Sequence, residues 1–425
     1  MRTPLRSATL ALVSMLVALV IAACTAEADP GLSSLPRIGT LTTAVEGDPG
    51  LAALPGRLLV LGTDGEITTM RADGTDPVTL AEPDPSTDRT QPTWSPDGSQ
   101  VAWTEQTDVG ERFLVVAAED GRMSTSTPAP LMAVYIAWNP GGSLIAMSGN
   151  DEEGNLLLAT AEPGQSIAVI DQGAPLYFDW ARDGSSLLVR TAERFEHVPI
   201  DGSERTQVPA SGTFRIGVHI GDSLVLATAR DVGDALAVAD REGEIVRELI
   251  RYAGPIAYVA GPGDDRLATM TRGSPESQRL AQLEKSDLPI LEPNRLVTVE
   301  TATGDIEEVA QARGVAWFWS PDGRLLLYST LEFVDGVERL QWHTWDGERS
   351  VSYRAFSPTG IFGRDYLAFF DQFARSMSLW APDGSAFAYA GGSSLDDAGI
   401  WVQPVAGGDP VRVSAGEMAM WSPTP

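Results

Sequence analysis

Three histidines, His197, His219 and His343, and a single cysteine, Cys24, are all the chain offers of those two side chains in 425 residues. Acid–base work would therefore fall mostly to carboxylates. The sequence contains no Gly-x-Ser-x-Gly elbow, no His-Glu-x-x-His zinc pair, no phosphate-binding glycine loop and no Cys-x-x-Cys. His197 and His343 sit inside strand candidates, where an imidazole is most simply a satisfied core group. His219 falls just past an inner-strand end and is the histidine nearest a face. Carboxylates cluster at Asp151-Glu152-Glu153 and at Asp396-Asp397, both in turns. Such oxygen ligands suit a divalent cation, but in a chain of net charge −28 solvated turns are the simpler reading. No metal site, cofactor or catalytic residue is assigned from these groups.

The densest aromatic stretch offers a different chemistry, that of binding. Between residues 354 and 375 the sequence places Arg354, Phe356, Tyr366, Phe369 and Phe370. Asp371, Gln372, Phe373 and Arg375 complete the group. Rings interleaved with a few charges on a long loop form a candidate docking surface, because binding groups concentrate on loops held by a rigid scaffold. The competing reading is that these rings plug a channel or pack on sheet edges. This stretch is the second of two interruptions in chain order; the first runs from Arg272 to Pro293. There Ser274-Pro275-Glu276 supplies an N-cap, a proline at the first helical position and an acidic first turn, which predicts a short helix over 275–286.

The elements that position these loops follow from a repeat. Trp319-Ser320-Pro321-Asp322-Gly323 ends one apolar run and precedes another. Proline sets φ for the first corner, aspartate bonds back to the main chain, and glycine supplies a positive φ. Near copies begin at Trp94 and Trp380, weaker ones at Trp138 and Trp180, and a truncated one at Trp421. Successive tryptophans are 44, 42, 139, 61 and 41 residues apart, the period of a propeller-like array. The long gap is about three periods, so it should hide two degenerate units, over 213–249 and 255–309. Three strand candidates over 57–80 lack an inner partner, and Glu417–Trp421 is an inner strand with nothing after it. The expectation is an all-β fold, a single β-propeller of four-stranded blades spanning 55–425. It would have eight blades, with seven as the alternative, and its ring would be closed by the C-terminal strand pairing with the N-terminal blade. The motif tryptophans are then packing groups and the Asp-Gly pairs turn formers.

These repeats resemble the WD40-like propeller repeat of the TolB family, over roughly residues 57–425. The resemblance implies a fold and little about activity, since propellers host many unrelated functions. At the other end, Arg2 and Arg6 precede an apolar stretch from Ala8 to Val20, and Ile21-Ala22-Ala23-Cys24 resembles the lipobox of bacterial lipoproteins. Residues 1–23 are thus expected to be a signal peptide, with Cys24 lipidated as the new N-terminus. Plain secretion, with cleavage after Ala28, is the alternative. Residues 24–54 are expected to form a flexible tether spanning on the order of 30 Å. Loss of Arg2 and Arg6 takes the formal charge from −28 to −30. A surface of that sign disfavours nucleic acid and anionic headgroups, so attachment would rest on the lipid.

The function expected from the sequence is a non-enzymatic, lipid-anchored extracytoplasmic propeller at the cell envelope, binding a protein or peptide. Alternatives are a hydrolase or lyase with a site built from loop carboxylates and His219, or a glycan or small-ligand receptor using the aromatic loop. A structure separates them by whether carboxylates converge on an open pocket, or apolar surface spreads over the inserted face.

Overall fold

A computed structural model describes residues 48, 50–209, 212, 215, 217–282, 286–394 and 397–425. The expected signal peptide, Cys24 and the expected tether up to residue 47 lie outside the described residues. The fold is all-β, built from antiparallel sheets whose strands follow one another in chain order. Thr87–Trp94, Met132–Trp138, Leu176–Trp180, Val218–Ile220 and Ile256–Ala260 each begin a four-stranded sheet. Gly314–Trp319 begins a seven-stranded one, in which Ser350–Pro358 pairs with Ala386–Gly392 only through Ser357–Gly392 and Pro358–Gly391. At the chain ends, Arg57–Leu61, Ile67–Arg71 and Val78–Ala81 take Met418–Trp421 as their fourth strand, with Leu58 opposite Trp421 and Leu61 opposite Met418.

The repeat motif explains both ends of each inner strand. Trp94, Trp138, Trp180, Trp319 and Trp421 are each the last residue of their strand. In the degenerate sheet it is Ile220, two residues beyond Val218, that holds this place. Three indole N–H groups reach across to a neighbouring inner strand, whereas those of Trp94 and Trp138 are buried with no partner among the described residues. Trp180 donates to the Ala137 carbonyl at 3.1 Å, Trp319 to Val259 at 3.2 Å and Trp380 to Phe318 at 3.1 Å. Each acceptor immediately precedes a strand-end residue: Trp138 or Ala260 in the sheet before, or Trp319 in the first half of the seven-stranded sheet that Trp380 joins by its bridge to Phe387. At these three positions the tryptophan is a hydrogen-bond donor to the neighbouring inner strand as well as apolar packing area.

The turn that follows is closed by its own side chains. Ser320 donates from its hydroxyl to Asp322 at 2.7 Å, and the Arg324 N–H donates to the same carboxylate at 3.1 Å. Gly323 takes φ 70°, a conformation that a β-carbon disfavours. These turns lie together on one face. Gly142 sits against Pro96, Gly184 against Pro140, Gly323 against Pro262 and Gly384 against Ser320. The start of Arg57–Leu61 lies on this face too, since Gly56 sits against Pro382 and Ser422. Leu51, just upstream, is buried in the main core. The chain therefore enters the fold on the motif-turn face. The hairpin turns between second and third strands, and the connections between sheets, lie on the opposite face. Among the described residues no helix is long and apolar enough to cross a membrane.

Candidate functional site

Both interruptions leave from the face opposite the motif turns, and from there they diverge. The first contains the helix Pro275–Ala281, shorter than the expected 275–286 and with 283–285 outside the described residues. Ser277 Oγ caps it by accepting the Ser274 N–H at 2.9 Å. Its return path lies along the preceding sheet. The Arg251 N–H donates to Pro289 at 2.9 Å, and the Leu291 N–H donates to Arg251 at 2.8 Å. This insertion clamps one sheet to the next.

The second interruption turns inward. Phe362–Tyr366 forms a wide helical turn, Leu367–Phe369 a tight one and Phe370–Phe373 an α-turn. Phe362, Tyr366, Phe370 and Phe373 recur at helical spacing and so share one side of this segment. Their rings stack. Phe362 and Tyr366 lie 5.5 Å apart at 13°, and Tyr366 and Phe373 lie 5.5 Å apart at 8°. Phe370 meets Trp317 edge-on at 4.4 Å, and Phe373 meets Tyr135 at 5.1 Å. The Tyr366 hydroxyl donates to the Met377 carbonyl at 2.6 Å.

Beyond the rings, the same segment reaches the inner strands of one sheet after another. Thr93 Oγ1 donates to the Ser376 carbonyl at 3.3 Å, and Ser376 Oγ donates to Tyr135 at 3.3 Å. The Trp421 N–H donates to Ser378 at 2.8 Å. Residues 370–378 thus act as a plug around which the inner strands are gathered.

The charged groups on the plug are paired within the same space. Arg215 Nη1 approaches Asp371 Oδ2 at 3.3 Å. Arg375 places Nη1 3.4 Å from both oxygens of Asp179, donates Nη2 to the His219 carbonyl at 2.7 Å, and lies 3.2 Å from Asp264 Oδ1. Asp179 also accepts the His219 backbone N–H at 2.9 Å and its Nδ1–H at 2.8 Å. Asp264 is held in turn by Arg182 and by the Gly221 N–H at 2.9 Å. Burial pushes the Asp179 carboxyl up, but the Arg375 guanidinium and the His219 donors outweigh it and hold the group below its usual range. Burial lowers His197, whose ring lies 5.7 Å from that of His219, so His197 is neutral at pH 7. The same desolvation raises Tyr135 and Tyr258, which keep their protons. An ionised Asp179 held by two cationic or donor partners is a strut; its lone pairs are already engaged.

This placement sorts the nine residues expected to form a docking surface. Phe356, Tyr366, Phe370 and Phe373 are buried, at 5% exposure or less. Phe356 does not belong to the plug: it lies in Ser350–Pro358 and packs on Tyr389 at 4.5 Å. Phe369 and Gln372 are half-buried. Asp371 and Arg375 are committed to the ion pairs above. Arg354 alone is exposed, with Nη2 3.3 Å from Ser393 Oγ. The rings are core because their helical spacing gives them one side, and the channel is the apolar space that side meets. Sequence reasoning missed the Asp179, His219 and Asp264 cluster, whose members meet only through the ring of strands. Their one shared signal was position, at or just beyond inner-strand ends. Among the described residues no three His, Cys, Asp or Glu side chains are grouped to hold a metal ion. Asp397 is occupied by Ser393 and Ser394, while Asp396 lies outside the described residues.

No protein-family model matches the chain, and no curated protein matches it either. Solved structures do. A eukaryotic initiation factor aligns with a TM-score of 0.53 and 11% identity, over 87% of this chain and 99% of that one. TolB from Acinetobacter baumannii aligns with a TM-score of 0.36 and 16% identity, over 62% of this chain and 67% of TolB. The β-propeller domain of the Trilobed protease from Pyrococcus furiosus aligns with a TM-score of 0.48 and 13% identity, over 77% and 98%. At such identities the likeness is one of fold; the successive four-stranded antiparallel sheets, with their inner strands gathered on residues 370–378, describe a β-propeller.

Proposed function

We propose that the strands form one eight-bladed propeller, closed by Met418–Trp421, and that the protein is a lipid-anchored extracytoplasmic binding module at the cell envelope. The pairing of Leu58–Leu61 with Met418–Trp421 supports closure. The Cys24 lipobox supports the anchor. The observation that carries the binding reading is the division of labour between the channel and the face opposite the chain's entry at Gly56. The channel is filled by the chain's own rings and self-paired charges, whereas the far face projects polypeptide outward. The hairpin Leu326–Val334 and Val337–Trp345 turns through Asp335 and Gly336, both at positive φ, and leaves Phe333 70% and Val337 51% exposed. Large exposed apolar groups on a raised hairpin suit a protein partner.

Because the chain enters on the motif-turn face, a tethered propeller would present this hairpin away from its own membrane. A photo-crosslinker at Phe333 in the membrane-bound protein should capture a discrete partner, and Phe333→Ser with Val337→Ser should reduce recovery about tenfold. Equal recovery with an intact fold would overturn the assignment to this face. Cys24→Ala should move the protein from the membrane to the soluble fraction, and unchanged fractionation would refute the anchor.

A further inference from the structure

On the same far face, a cleft of about 500 Å³ opens between the sheet begun by Thr87–Trp94 and the sheet begun by Met132–Trp138. Its apolar lining is Phe113, Pro128, Pro130 and Leu157. Its acidic lining is Glu111 on one sheet and Asp151, Glu152 and Glu153 on the turn of the other. Arg112, the basic residue of the lining, turns Nε to Gln106 Oε1 at 2.8 Å. Glu111, Glu152 and Glu153 are in no ion pair with described residues and reach solvent. Asn155 donates its backbone N–H at 2.8 Å and its side-chain amide at 2.9 Å to Asp151, which keeps that carboxyl ionised.

We infer that this cleft takes an extended segment of a partner protein in which arginine or lysine alternates with apolar residues. The inference rests on the binding reading above and names the partner's chemistry. The match is one of charge and shape together. A long cationic side chain lays its methylene stem on apolar surface while its head stays at a polar rim, and a guanidinium takes a carboxylate in a two-pronged contact. A metal ion does not fit the same carboxylates, since no three of them are grouped for coordination among the described residues. The motif turns and the entry of the chain at Gly56 lie on the other face.

The test is fluorescence anisotropy on the full chain in detergent. The probe is a labelled octapeptide alternating arginine and leucine; a glutamate–leucine peptide and an all-arginine peptide are the comparisons. The arginine–leucine peptide should bind best. Glu152→Lys with Glu153→Lys should weaken it about tenfold, and Phe113→Ala about threefold, with melting curves confirming the fold. Reversal of Glu307 and Glu308 on the outer strand Ile306–Gln311 should leave it within about twofold, since those charges lie on another sheet. Absence of binding, or equal loss from the outer-strand reversal, overturns the cleft. If partner capture at Phe333 then persists, the cleft alone has failed and the binding reading stands.

Discussion

Replacing Arg375 by methionine tests whether the plug is held by charge as well as by rings. The side chains of Arg375, Asp179 and Asp264 are 22%, 17% and 20% exposed, so water screens the cluster only in part. Removing one partner of a buried pair costs about 3–5 kcal/mol. With His219 and Arg182 still in place to hold the two carboxylates, the expected loss is nearer 2–3 kcal/mol, within the range of broken buried networks. The pH dependence gives the stronger check. In the wild type the Asp179 pKa is depressed, so its contribution is complete above the unfolded value and fades as pH falls through the folded one. Without Arg375 the largest influence lowering the Asp179 pKa is gone, so the folded pKa rises. The variant should then be least stable relative to wild type at pH 7, and the gap should narrow below about pH 4, as Asp179 with its raised folded pKa takes up a proton before the wild-type carboxyl does. Urea unfolding followed by tryptophan emission at both pH values measures this. A loss under about 0.5 kcal/mol at pH 7, the range of an ordinary surface substitution, would show that Asp179 is stable without its guanidinium and refute the strut.

Two further perturbations probe the plug and the closure. Tyr366→Phe keeps the stacked ring and removes the donor to Met377, leaving a buried carbonyl unpaired; the expected cost is about 1–3 kcal/mol by urea unfolding. Deleting residues 418–425 strips Leu58–Leu61 of its inner partner and exposes an apolar edge. Light scattering should then show aggregation, because unpaired hydrophobic edges recruit other chains. A monomer of unchanged melting temperature would show that the C-terminal strand does not close the ring.

The scaffold was legible because its signal is local. A tryptophan, a proline, an aspartate and a glycine at fixed offsets specify a strand end and a turn at Trp94 and Trp319, and the same turn after Trp380, with no help from distant chain. Where the motif decays, as at Ile220 and Ala260, the apolar strand end survives and the indole donor does not, so periodicity carried the reading there. The second interruption was legible as an event and misleading as a surface. Ring content suggested binding, but the offsets from Phe362 to Tyr366, Phe370 and Phe373 give a single helical side, and a single apolar side seeks a core. Asp179, His219, Asp264 and Arg375 illustrate the limit from the other direction. No local rule links positions separated by whole blades; their contact is set by where the ring of strands brings inner-strand ends to one axis. In such an array, function is better sought where a group breaks the period and remains unpaired. By that criterion the hairpin tip at Phe333 and the carboxylates facing Phe113 outrank every ring in the plug.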